Sequence, residues 1–233
     1  MGIKSMETNV LWYRTTNAVF TGALMYAIAG GLLMLAQAIV YVNSYTPFGE
    51  LNVLSEYLLD NSNFFTIVII AGYALYMRNL TGFAKVLNGE DGKSARLTGI
   101  GAIVAIIAVV WEYITFHLPT DTAGRILMTL TFVAAYGIMA LAFWKLAQSA
   151  DFPPPARRGA KILFCAQILL IVGVVIIEEL RANLYILFGY ISISAGWEIS
   201  LGYILSVIAC ILVPAGWSSI RKANPDAGVT QPV

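Results

Sequence analysis

From Thr15 to Gly49 the chain carries no charged side chain. The stretches 61–77, 97–111, 126–144, 162–177 and 199–220 are likewise free of Asp, Glu, Lys and Arg. A soluble helix or strand keeps one wetted, polar face, so uninterrupted apolar sequence of this length does not suit a water-surrounded fold. A bilayer requires it. A helix rising ~1.5 Å per residue needs about 20 mostly apolar residues to cross a ~30 Å hydrocarbon core. The runs predict an all-α polytopic membrane protein with six transmembrane helices, over roughly 18–42, 63–80, 96–117, 124–146, 161–182 and 197–220. Charged residues make up 12% of the chain, about half the ~25% of a soluble domain. No segment is polar enough for a separate soluble domain, so residues 1–233 read as one membrane domain. Glu7 and Arg14 interrupt the sequence after Lys4, which argues against a cleaved signal peptide and for an uncleaved first helix.

Charge distribution sets an expected orientation. With the N-terminus inside, Lys4, Arg14, Arg78, Lys85, Lys93, Arg96, Lys145, Arg157, Arg158, Lys161, Arg221 and Lys222 lie on the cytoplasmic side. Only Arg125 and Arg181 lie opposite. This positive-inside bias predicts cytoplasmic termini in a plasma (inner) membrane, with 221–233 a short cytoplasmic tail. Most acids gather at the other end, where an acidic face would attract cations or a basic partner.

The connections are expected at 43–62, 81–95 and 147–160, the last holding Pro153-Pro154-Pro155. Two outer segments, 43–62 and 183–197, are unusually apolar for loops. In the first, Leu51, Leu54, Tyr57 and Leu58 form a helical stripe, predicting an interfacial helix. The charge-free part of the second is too short to span, and is expected to extend span five, dip back, or lie as an interfacial cap over the outer mouth. The return helices echo one another in TIVIIAGYALYM (66–77), TFVAAYGIMALAF (131–143) and SLGYILSVIACIL (200–212), as three hairpins in series would. Ala23, Ala27 and Gly31 form a small-residue stripe for close helix approach, and Pro214 is expected to bend the last span.

The candidate site follows from depth. Glu112 and Glu178 lie ~24–26 Å along their helices from Arg96 and Lys161, just inside the far boundary, and Glu198 lies ~34 Å from Arg221, at the interface. Lipid exposure of a carboxylate costs roughly 3 kcal/mol near the centre and less at the edge. Glu178 and Glu179 are ~100° apart on a helix, so one is expected to turn inward and the other outward. The expected substrate-binding set is an outward-facing acidic pocket of Glu112, Glu178 and Glu198, with Arg181 tuning its charge, suited to a proton or cation.

Other chemistry finds little footing. His117 is the single histidine, which excludes bis-histidine haem ligation and His-rich di-iron clusters within the chain. Cys165 and Cys210 fall at different depths and make no disulfide or metal pattern. The tetrad Glu178-Glu179-Leu180-Arg181 differs in spacing from the Glu-Glu-xxx-Arg motif of CAAX-type intramembrane proteases, and no histidine follows it. No phosphate loop, nucleophile elbow or nucleic-acid patch is present, and no cofactor is specified. Three function classes remain: a small transporter or channel, an integral subunit of a larger respiratory, pigment- or lipid-binding assembly, and an intramembrane enzyme acting on lipid. The expected partners are the lipid bilayer and, on the acidic face, a second copy or other membrane subunits.

Overall fold

The computed structural model describes residues 3–43, 49–87, 89–117, 122–187 and 193–223, with side chains over 9–42, 53–87, 89–114, 123–178 and 199–223. These residues form α1 (Ile3–Asn43), α2 (Gly49–Asp60), α3 (Ser62–Val86), α4 (Gly89–His117), α5 (Thr122–Gln148), α6 (Pro154–Leu187) and α7 (Ile193–Arg221). All except α2 are long and apolar enough to cross a membrane. The chain is an all-α, multi-pass integral membrane protein.

The charged stretches at 81–95 and 147–160 are largely helical rather than loops. α3 runs to Val86 and α4 starts at Gly89, whose φ of +53° lets the chain reverse in very few residues. Charged residues can extend a helix past the hydrocarbon boundary because the headgroup region solvates them. Likewise α5 continues to Gln148, and α6 starts at Pro154, where a missing N–H costs nothing. At the opposite end, 183–187 continues α6 and 193–197 begins α7. The segment expected as an outer cap thus belongs mostly to two helix ends, and 188–192 lies outside the described residues. α2 supplies the helix expected before span two and packs on α1. Its Ser55 and Leu58 are buried, whereas Leu54 and Tyr57 face out.

Each long helix packs on its neighbours in chain order, and α7 closes the ring on α1. The α6–α7 seam shows how the sequence allows this. Gly159 meets Gly216, and Gly173 meets Gly202; between these contacts Ala166 and Ala209 are fully buried. On both helices the small residues recur every seven positions, so one antiparallel register places backbone against backbone along four turns. The α1–α3 seam uses a reciprocal device. A Cβ on Gly22 would sit 2.6 Å from the backbone N of Tyr76, and one on Gly72 2.6 Å from that of Tyr26. Gly22-x-x-x-Tyr26 and Gly72-x-x-x-Tyr76 are the same motif running in opposite directions. Ala23 and Ala27 of the expected stripe are buried, and Gly31 faces Cys210 of α7.

Large side chains then divide by environment. Ile28, Ile67, Ile103, Ile107, Leu130, Leu141, Ile204, Ile208 and Ile211 are exposed, the arrangement of a lipid-facing surface. Inside, α4 and α6 present mostly alanine: Ala102, Ala105 and Ala108 from the first, Ala156 and Ala160 from the second. Aromatic side chains from α1, α3, α5 and α7 fill the space between them.

Candidate functional site

The interior aromatics are joined by stacked and edge-on contacts. Tyr26 stacks on Tyr73 with centroids 4.1 Å apart and meets Tyr76 edge-on at 5.5 Å. Tyr76 meets the Trp217 indole at 5.7 Å, and the Trp217 Nε1–H donates to the Tyr76 hydroxyl at 3.2 Å. Phe143 of α5 reaches the same indole at 6.1 Å. Tyr136 of α5 is buried in the same core, close to Tyr73. Hydroxyls from α3 and α5 and an indole N–H from α7 therefore converge inside the ring. Such partners are needed, because a tyrosine hydroxyl removed from water without a hydrogen bond is costly.

Gln167 occupies the same interior. Ala156, Ala160, Leu163, Gln167 and Leu170 alternate by four and three along α6, which makes one buried stripe. The Gln167 amide is 1% exposed, and its Oε1 has no hydrogen-bond partner among the described residues. It is the one buried side-chain acceptor left unsatisfied among them. Gln37, another amide inside the spans, is only partly buried.

The four residues expected to form the acidic pocket are placed unequally. Glu112 lies on α4, which packs on α3 and α5; Glu178 and Arg181 lie on α6, which packs on α5 and α7. α5 thus stands between the helices of Glu112 and Glu178. Extending the Gly173–Gly202 register by one turn sets Ile177 opposite Glu198, so Glu178 and Glu198 occupy the same level of adjoining helices. Glu178 is partly buried, beside a small buried cluster of Ala38, Ile177, Ile199 and Tyr203. The side chains of Glu179, Arg181, Glu198 and His117 lie outside the described residues. Glu112 is exposed, as are Trp111, Tyr113 and Ile114 around it.

In the sequence, Tyr73, Tyr76, Tyr136 and Tyr203 stand out only as an echo among the return helices, and tyrosine suits a membrane surface as well as a buried site. Tyr73, Tyr76 and Tyr136 are all buried in the core, and Tyr203 is buried in the smaller cluster, stacked 5.8 Å from Tyr41. Among the described residues no group of His, Cys, Asp and Glu has the makings of a metal site, and Cys165 and Cys210 are free thiols.

The opposite end is held by side chains that tie α1 to α3 and α7. Trp12 Nε1 donates to the Ile220 carbonyl at 3.3 Å, Arg221 donates to Asn17 Oδ1 at 3.0 Å, and Asn79 donates to the Ala18 carbonyl at 2.9 Å. The Arg221 guanidinium also lies 4.5 Å from the Phe20 ring centre. Comparison of the chain with protein-family models, curated proteins and solved structures finds no match.

Proposed function

We propose that the chain is a small membrane transporter that passes a proton or a small cation between the acidic end and the hydroxyl-lined interior. One observation carries this reading: hydroxyl, indole and amide groups lie deep inside a bundle whose core is otherwise largely apolar. Trp217 donates to Tyr76, Tyr136 lies close to Tyr73, and Gln167 is buried on α6 with its Oε1 unpaired among the described residues. Polar groups inside a membrane bundle are costly and characteristically line solute or proton pathways. Hydroxyl and amide oxygens replace the hydration shell of a hard cation, and carboxylates at a mouth raise the local cation concentration. In this reading Glu178, Glu198 and Arg181 form the entrance at the α6–α7 end, and Glu112 forms a second acidic approach beside α5. The basic end, with both termini, faces the cytoplasm across a plasma membrane, as the lysine and arginine bias suggests.

The test is flux. The purified full chain, reconstituted in vesicles holding a pH-sensitive or sodium-sensitive dye, should discharge an imposed gradient faster than protein-free vesicles. Discharge no faster than in protein-free vesicles with either dye would overturn the reading. A second reading, an integral subunit of a larger assembly, draws on the exposure of Trp111, Glu112 and Tyr113 at the acidic end. A partner, or a second copy, docked there would cover them. Co-purification of other chains in fixed ratio, together with silent vesicles, would favour it.

A further inference from the structure

Between the last turn of α5 and the first turns of α6 is a cavity of about 270 Å³ lined by Ala147, Pro154, Arg157, Arg158 and Lys161. Its polar lining follows from helix periodicity, since positions 154, 157, 158 and 161 are i, i+3, i+4 and i+7 on one face. Three positive charges on one face repel, and like charges four apart destabilise a helix. None of the three is in an ion pair among the described residues, where the Lys93–Glu90 contact at 2.6 Å is the salt bridge present. Pro154 and Pro155 lack N–H groups, so the guanidinium and ammonium groups, rather than the helix terminus, are the main donors facing the cavity.

The membrane side of the cavity has a different character. One turn deeper, Trp144 packs on Phe164 with centroids 5.2 Å apart and remains 44% exposed. Beyond this step Leu141 on α5 and Ile168, Val172 and Val175 on α6 are exposed. Lys161, Ile168 and Val175 are seven residues apart, so the apolar surface continues on the face that carries the cation.

We infer that this cavity binds a phosphate oxyanion, supplied by the headgroup of an anionic phospholipid whose acyl chains lie along the Trp144–Phe164 step and the apolar seam beneath it. Arginine forks match phosphate oxygens, and a bound anion relieves the repulsion among the three cations. Free phosphate shares the headgroup chemistry but makes no use of the apolar seam.

The experiment uses the full chain in mild detergent, with native mass spectrometry against dioleoyl phosphatidylglycerol, dioleoyl phosphatidylcholine or inorganic phosphate. Phosphatidylglycerol should be retained over phosphatidylcholine, and its affinity should fall about five-fold for each cation removed by Arg157→Gln, Arg158→Gln and Lys161→Gln. Removing equal charge elsewhere, by Arg78→Gln, Lys85→Gln and Lys93→Gln, should leave retention unchanged. If both triple variants lose the lipid equally, the site is overturned in favour of bulk charge. Binding of inorganic phosphate with no preference between the lipids would overturn the lipid assignment. Arg158→Gln alone, at an exposed side chain, supplies the five-fold reading if the triple variant does not fold.

Discussion

The Trp217 indole N–H donates to the Tyr76 hydroxyl across the interior of the ring, joining α7 to α3 although α1 is the helix that packs on both. Tyr76→Phe keeps the ring but leaves a buried N–H unpaired. Interhelical hydrogen bonds in membrane proteins average about 0.6 kcal/mol and reach about 1.7. Full burial puts this one toward the upper part of that range, so a loss of roughly 1 kcal/mol is expected in reversible unfolding from mixed micelles. Unchanged stability would show that the indole finds another acceptor.

Glycine substitutions should separate seams from open surface. A Cβ on Gly173 would lie 2.5 Å from Ser206 Oγ and 2.7 Å from the Gly202 carbonyl oxygen, whereas one on Gly137 meets nothing within 4 Å. Gly173→Ala is expected to destabilise by about 1–3 kcal/mol through overpacking. Gly137→Ala, inside α5, should stabilise by up to ~1 kcal/mol through helix propensity. Thermal unfolding of the two variants side by side checks the contrast, and equal behaviour would contradict the α6–α7 register.

The turn between α3 and α4 gives a smaller effect. Gly89 has φ +53° and open space around its Cα, so only backbone strain opposes a side chain there. Gly89→Ala should cost about 1–2 kcal/mol, and Gly89→Asn less, because asparagine tolerates the left-handed region. The same unfolding assay reads this ordering.

Gln167 should divide stability from activity. Gln167→Leu removes an unpaired buried oxygen at similar volume, so the variant is expected to be as stable as the parent or more so, by about 1 kcal/mol. If the interior oxygens carry the solute, the same change should slow vesicle flux about ten-fold or more. A stabilised protein with undiminished flux would place the pathway elsewhere.

Glu112→Gln and Glu178→Gln test the two acidic approaches. Because α5 separates their helices, the two variants should act independently on flux, and their double variant should show the product of the single effects. A marked departure from that product would indicate one shared site.

The six spans were legible in the sequence because hydrophobic length is a property of each segment by itself. Their ends were less so: Lys85, Lys93 and Arg157 read as loop residues, yet they sit on helices that extend past the apolar core. Helix pairing left a fainter trace. The seven-residue recurrence of Gly159, Ala166 and Gly173 is visible once its partner Gly202, Ala209 and Gly216 is known, but spacing within one helix does not say which other helix it faces. The inward turn of the tyrosines had the same obscurity, since a tyrosine suits a membrane surface as well as a polar interior. Depth counted from flanking charges ranked Glu112 and Glu178 as equals, and only the helix order shows that α5 lies between them.

Closure of α7 onto α1 also has a consequence for biogenesis. α1 leaves the ribosome well before α7, the helix that completes its packing surface, so the Gly31 side of α1 faces lipid or the insertion machinery until the sixth span arrives. The Trp12–Ile220 and Asn17–Arg221 contacts form only then, which makes ring closure a late event in synthesis. A chain halted before α7 would present an unsealed seam to the quality-control proteases of the membrane.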